Sequence, residues 1–166
     1  MKKLQQLFSL EGLRIVVTGA SSGLGLSQAI LMAELGATVF SLSRTGKVKD
    51  ENITDLPGNL HFLKADVAQE LDVKVAFEKI GREGGIDVLV NNAGITLKKK
   101  AEDLTDREWE EIHQVNLNGM FRCCKLAFPW LRSSSHVGRI INISSMASYF
   151  GFSEVVPYTS SKSAVI

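Results

Sequence analysis

Five short apolar runs, set apart by polar stretches and amphipathic segments, organise this chain. They are Arg14–Thr18, Ala37–Leu42, Leu60–Ala65, Ile86–Val90 and Arg139–Ile143. Each is brief, rich in branched aliphatics and largely without polar alternation, as expected of strands buried on both faces of a parallel sheet. Between them lie helical patterns. Helix formers run from Leu26 to Leu35 and meet Gly36, a C-cap candidate. A second helix is expected over Ala68 to Gly81, with Leu71, Val75 and Ile80 roughly along one face. Thr105-Asp106-Arg107-Glu108 reads as a capping-box start. The helical pattern continues from there to about Leu131, bent near Asn116 to Gly119. Ser43 to Asn59 has few apolar residues and contains Gly46, Pro57 and Gly58, so it reads as loop with at most one helical turn. Ile95 to Leu104 is a second polar loop. Strand and helix alternation with short turns predicts one domain over residues 1–166, a doubly wound α/β sheet of Rossmann type.

Ligands of such sheets bind outside the carboxyl ends of the strands. Three unusual clusters fall there. Gly19-Ala20-Ser21-Ser22-Gly23-Leu24-Gly25 follows the first strand, Asn91-Asn92-Ala93-Gly94 the fourth, and Ser144-Ser145 the fifth. Glycines after a strand let the backbone turn tightly and approach a pyrophosphate, and the following helix offers free N–H groups and a positive dipole end. The spacing here is G-x-x-x-G-x-G, not G-x-G-x-x-G, and a plain Gly-Ser turn would also satisfy it. Farther on, Tyr158 and Lys162 are four residues apart, which places a phenol and an ammonium on one helix face. Ser145 stands thirteen residues before Tyr158 and could hold a carbonyl oxygen beside it; Ser144 competes for that part.

The order T-G-x-x-x-G-x-G, N-N-A-G, Asn116, Ser145, Tyr158, Lys162 resembles the short-chain dehydrogenase/reductase family in its shorter-chain variety, from Leu7 onward. The resemblance implies hydride transfer between a nicotinamide and a carbonyl or secondary alcohol. Tyr158 would be the general acid in reduction and the base in oxidation. A free phenol titrates near ~10, so bringing one to neutrality takes ~4 kcal/mol of preferential anion stabilisation. Lys162 would supply much of that and hold the nicotinamide ribose. Ser145 would bond the substrate oxygen, and Asn116 would keep the helix bend and a relay water in place; a plain helix-interior asparagine is the alternative. Gly19, Ser21, Ser22, Gly23, Leu24 and Gly25 would cradle the pyrophosphate. Asp66 and Val67 match the position that contacts adenine, although Asp66 could equally cap a helix with Gln69 three residues on. Asn92, Ala93 and Gly94 match the segment lining the cofactor. A strand-to-loop turn would explain the glycine but not the paired asparagines.

The cofactor choice turns on the end of the second strand. An acidic residue there would bind the ribose 2′-OH, whereas arginine accommodates a 2′-phosphate. Ser43 and Arg44 occupy the place, with no Asp or Glu until Asp50. NADP(H) is therefore expected over NAD(H), which stays possible. A solvated Arg44 is the competing reading, and Ser22 stands where NADP-preferring relatives often carry a basic residue.

Composition adds limits. The chain of 166 residues is 45% hydrophobic and 22% charged, with net charge +1, which gives no sign of a nucleic-acid or membrane surface. Met1 to Leu10 lacks the apolar core of a signal peptide, and adjacent Cys123 and Cys124 fit a reducing compartment, so a cytoplasmic protein is expected. His61, His113 and His136 have no ligand spacing, so no metal site is expected. Lys98-Lys99-Lys100 could attract an anionic substrate, with a solvated run the better reading. Phe8-Ser9-Leu10-Glu11-Gly12 looks like sugar-acid and gluconate dehydrogenases of the family, and also like its acyl-carrier ketoreductases. Family members continue through two further strands and a substrate loop. The resemblance thus implies a fragment of a longer enzyme, homo-oligomeric through the helices bearing Phe121 to Leu131 and Tyr158. The alternative is a short non-catalytic dinucleotide-binding or interaction protein. Without further strands, Arg139–Ile143 should form an exposed apolar edge.

Overall fold

The structure is a computed structural model that describes residues 7–50 and 52–166. Of the stretch read for a leader, residues 1–6 lie outside the described residues. Among the described residues, five parallel strands form one sheet: β1 (Arg14–Thr18), β2 (Thr38–Ser43), β3 (Leu60–Lys64), β4 (Val88–Asn91) and β5 (Arg139–Asn142). Their order is β3-β2-β1-β4-β5. The chain therefore winds outward from β1 in both directions, and the crevice between the C-terminal ends of β1 and β4 is the switch point where such sheets take ligands. Register holds these ends level: Val17 lies beside Val90, and Thr18 beside Leu42.

Two apolar layers explain why the strands show so little alternation. Ile15, Val17, Val39, Val88 and Val90 point to one face and pack on helix α1 (Gly23–Glu34) through Ala29 and Ala33. Val16, Phe40, Leu42 and Leu89 point to the other. That face is covered by α2 (Glu70–Arg82) and α4 (Met120–Arg132), which contribute Val73, Phe77, Ile80, Cys123, Ala127 and Leu131. Burying each such aliphatic or aromatic side chain contributes ~1.5–3 kcal/mol before chain entropy is counted.

The helices depart from the expected pattern in three ways. Helix α1 starts at Gly23, three residues before the expected Leu26, because the glycine turn leads straight into it. On α2 the buried stripe is Val73, Ala76, Phe77 and Ile80, whereas Leu71 and Val75 are 71% and 59% exposed. Only Ile80 of the expected face is inside. The long pattern after Thr105 divides into α3 (Asp106–His113), a π-helical turn (Gln114–Gly119) and α4. The bend expected near Asn116 is this turn. Its wider winding rotates the helix surface and aims Asn116 inward. From Arg44 to Asn59 the described residues form no helix or strand. Leu56 packs against the α1-side layer there. A last helix, α5 (Val156–Ser163), carries Tyr158 and Lys162. Among the described residues, strand β5 pairs on one side only, with β4, and Ile140 and Ile141 are exposed, as expected of an apolar edge. No described helix is long and apolar enough to cross a membrane.

Candidate functional site

Strand β1 ends at Thr18 and runs into Gly19, whose φ is +69°; a Cβ added to Gly19 would lie 2.7 Å from the Ala93 Cα. Glycine alone can both take this turn and let the loop after β4 come so near. Gly25 is equally confined, since a Cβ on it would lie 2.7 Å from the Gly19 carbonyl oxygen. Ser22 then precedes α1 in extended conformation. Its side chain makes no capping bond, and the first turn of α1 holds no acidic residue. The free N–H groups of that turn and the positive end of the dipole stay available to an anion. Helix α3 shows the contrast: Thr105 and Glu108 close its N-terminus with a complete capping box.

A cleft of about 620 Å³ opens in front of this helix end. Gly19, Ser21, Ser22, Leu24 and Gly25 form its near wall. Ser43 and Arg44 border it at the end of β2, and Asp66 and Val67 at the end of β3. Asn92, Ala93 and Gly94 close the side toward β4. Gly23 starts α1 with φ +57° but is not part of the wall, and Tyr158 and Lys162 stand beyond it on α5. Thr45, Lys49, Ile95 and Val115 border the cleft as well, and the sequence marked none of them. Of these, only Val115 had a signal, its place beside the expected bend.

The loops are pinned by side chains whose partners lie far along the chain. Thr18 Oγ1 accepts the N–H groups of Asn92 and Ala93, both at 3.1 Å, and Asn92 Nδ2 donates to the Thr18 carbonyl at 3.0 Å. Asn91 Nδ2 donates to Asn142 Oδ1 at 2.9 Å and to Cys124 Sγ. The paired asparagines thus have structural work: one joins β4's loop to β1's, the other joins β4 to β5. Asp66 Oδ1 accepts from the Ala68 N–H at 2.9 Å, which closes a turn. Gln69 holds the N-cap position of α2, so Asp66 does not cap the helix.

At the inner end of the cleft stands a buried polar cluster. Asn116, 1% exposed, accepts the Ile95 N–H at 2.8 Å and donates to the Ile95 carbonyl at 2.9 Å and to Ser161 Oγ at 3.0 Å. Lys162 is also buried, and its Nζ donates to the Ile143 carbonyl at 2.6 Å. Burial holds its pKa below the ordinary lysine value. A Cβ built on Gly94 would lie 3.4 Å from Asn116 Oδ1 and 3.6 Å from Lys162 Nζ, so the cleft wall and the cluster touch at this glycine. Tyr158 sits one turn before Lys162, half-buried.

Ser144 and Ser145 differ in what they have left to offer. Ser144 Oγ shares a bond with Ser148 Oγ at 2.5 Å and donates to the Lys162 carbonyl at 3.1 Å. Ser145 Oγ accepts the Ala147 N–H at 3.1 Å, which leaves its own proton to donate. The lysine run is mostly paired. Lys98 reaches Glu154 at 3.3 Å, and Lys99 bonds both oxygens of Glu108 at 2.8 Å. Lys99 foremost, with the Thr105 N–H and hydroxyl, holds the Glu108 carboxyl down at about 2. Burial pushes the Cys123 thiol up to about 12 and also raises that of Cys124, so neither is a reactive thiolate at neutral pH. Among the described residues no group of three His, Cys, Asp or Glu converges as for a metal.

A family model described as short chain dehydrogenase matches residues 14–166. The chain belongs to the short-chain dehydrogenase family. Among its relatives, a 3beta-hydroxysteroid dehydrogenase of Mediterraneibacter gnavus is 38% identical over 91% of this chain and 56% of its own length. A 2-dehydro-3-deoxy-D-gluconate 5-dehydrogenase of Bacillus subtilis is 34% identical over 99% of this chain and 65% of its own. The crystal structure of a gluconate 5-dehydrogenase from Burkholderia cenocepacia, in complex with NADP and tartrate, superposes with a TM-score of 0.84 at 31% identity. That match covers 98% of this chain and 65% of the other. This short-chain dehydrogenase chain therefore spans less than two thirds of the length of these relatives.

Proposed function

We propose that the chain carries the dinucleotide site and proton-transfer residues of an NADP(H)-dependent oxidoreductase acting on a carbonyl or secondary alcohol. One observation carries the reading: an uncapped helix N-terminus opens on a cleft whose far end, at Gly94, touches buried Lys162 and Asn116. A dinucleotide fits this arrangement. Its pyrophosphate would meet the first turn of α1, its adenine Asp66 and Val67, and its 2′-phosphate Arg44 beside Ser43. NAD(H) would lose only the last of these contacts. When bound, the nicotinamide supplies or accepts the hydride.

The protein's own part is the proton. In reduction, the Tyr158 hydroxyl donates its proton to the carbonyl oxygen as the carbon receives hydride; in oxidation the phenolate removes it from the alcohol. Lys162 stabilises the phenolate, and its sheltered site strengthens that attraction. Ser145 donates a hydrogen bond to the substrate oxygen. Asn116 holds the Gly94–Ile95 backbone against the cluster. Pairing of Lys98 and Lys99 with Glu154 and Glu108 argues against their use as an anion trap for substrate. The relatives' names include a steroid and a sugar-acid dehydrogenase, which supports a carbonyl or secondary alcohol as the substrate class. Phe121 and Phe128, exposed along one side of α4, support pairing with a second copy. Light scattering on the purified protein reads that directly.

The test is Tyr158→Phe. Turnover of NADPH with a panel of ketones should fall at least ~10³-fold, while dinucleotide affinity changes less than about twofold. Undiminished turnover would remove Tyr158 from the chemistry. Dinucleotide binding with no turnover in the unaltered protein would favour the binding-module alternative.

A further inference from the structure

The loop after β2 does something the glycine motif does not. Ser22 offers no charge, and Arg44 is the one cation that the sequence pattern assigns to the 2′-phosphate. The structure places a second basic residue, Lys49, on the border of the same cleft. From Ser43 the chain turns sharply: the Gly46 N–H donates to both the carbonyl and the hydroxyl of Ser43, at 3.2 and 3.1 Å. Thr45 Oγ1 donates to the Lys47 carbonyl at 2.9 Å. The chain then folds back until the Lys49 N–H donates to the Ser21 carbonyl at 2.9 Å. Lys49 and Arg44 both border the cleft, with Ser22 and Ser43; Lys47 does not. A helix over these residues would carry position 49 away from the strand end at ~1.5 Å per residue. Its absence here lets Lys49 return to the glycine loop.

We infer that Lys49 supplies the second cation of a 2′-phosphate subsite, in place of the uncharged Ser22. The inference rests on the NADP(H) reading above. A phosphate monoester carries close to two charges at neutral pH and three strong acceptor oxygens, more than one guanidinium can neutralise. A 2′-OH carries none, so the contribution of Lys49 must be selective for the phosphorylated cofactor. The backbone bond to Ser21 also links Lys49 to the glycine loop that would hold the pyrophosphate.

Dissociation constants for NADPH and NADH, titrated directly without substrate, test this in the unaltered protein and in Lys49→Ala, Lys49→Arg, Lys47→Ala and Arg44→Ala. Lys49→Ala should weaken NADPH about tenfold and NADH less than about twofold, a selective loss the size of one charge-assisted hydrogen bond. Lys49→Arg should retain NADPH binding, and Lys47→Ala should leave it unchanged. The salt dependence of NADPH binding should become shallower in Lys49→Ala, as one fewer cation is screened. NADH affinity serves as the folding control. An NADPH loss under about threefold, or an equal loss on NADH, overturns the assignment of Lys49. If Arg44→Ala abolishes the preference while Lys49→Ala keeps it, the NADP(H) reading stands and Lys49 alone falls. Equal affinities in the unaltered protein would sink the NADP(H) reading itself.

Discussion

Asn116→Ala is the sharpest test of how the cleft is joined to the buried polar cluster around Asn116 and Lys162. The substitution removes three hydrogen bonds, two to the backbone of Ile95 and one to Ser161 Oγ. Ser161 keeps its bond to the Tyr158 carbonyl at 2.8 Å, so its loss is the smallest. Ile95 is only half-buried, so unpairing its backbone costs less than it would in the closed core. Taking ~1 kcal/mol for each lost bond, with up to ~1–3 for a backbone group left unpaired, the expected destabilisation is ~3 kcal/mol. With a urea slope of ~2 kcal/mol per molar, the unfolding midpoint should fall by ~1.5 M at unchanged slope. Circular dichroism together with tryptophan fluorescence follows this, with Trp109 on α3 as a nearby reporter. Asn116→Asp keeps an acceptor for the Ile95 N–H but sets an oxygen against the Ile95 carbonyl, so it should lose at least as much. A loss below ~1 kcal/mol for either variant, at unchanged slope, would show that the amide does not hold the Gly94–Ile95 segment.

Two further outcomes follow from the same geometry. Gly19→Ala must adopt φ +69° and press on the Ala93 backbone, so it should lose ~2–4 kcal/mol of stability and most dinucleotide affinity; a urea midpoint near that of the unaltered chain would contradict the close approach. Glu108 is held at about 2, below the 4.5 of a free carboxyl. A depressed carboxyl stabilises the fold above its unfolded pKa and ceases to do so as pH falls toward the folded one. Glu108→Gln should therefore flatten the decline of stability between pH 4.5 and about 2, measured as urea midpoint against pH; parallel curves for the two proteins would refute it.

Residues 14–18 and 88–90 announced themselves as strands because both of their faces are buried, and burial on two faces writes itself as a continuous apolar run. The turn at Gly19 was legible for a similar reason: its constraint is local backbone geometry, which only glycine meets cheaply. The bend at Asn116 and the capping box at Thr105 are likewise local. Helix α2 shows where that kind of reading ends. It carries two apolar stripes, and periodicity cannot say which one the sheet will cover; packing buried Val73 and Phe77 and left Leu71 and Val75 outside. The same holds for Asn92 tied to Thr18, for Lys99 tied to Glu108, and for Lys49 returned to Ser21. Short-range preference therefore determined the strands, the glycine turn and the order of candidate groups. Which side chains are held inside the fold and which face the cleft was decided by contacts between distant segments, whose free energies exist only once the sheet has brought them together.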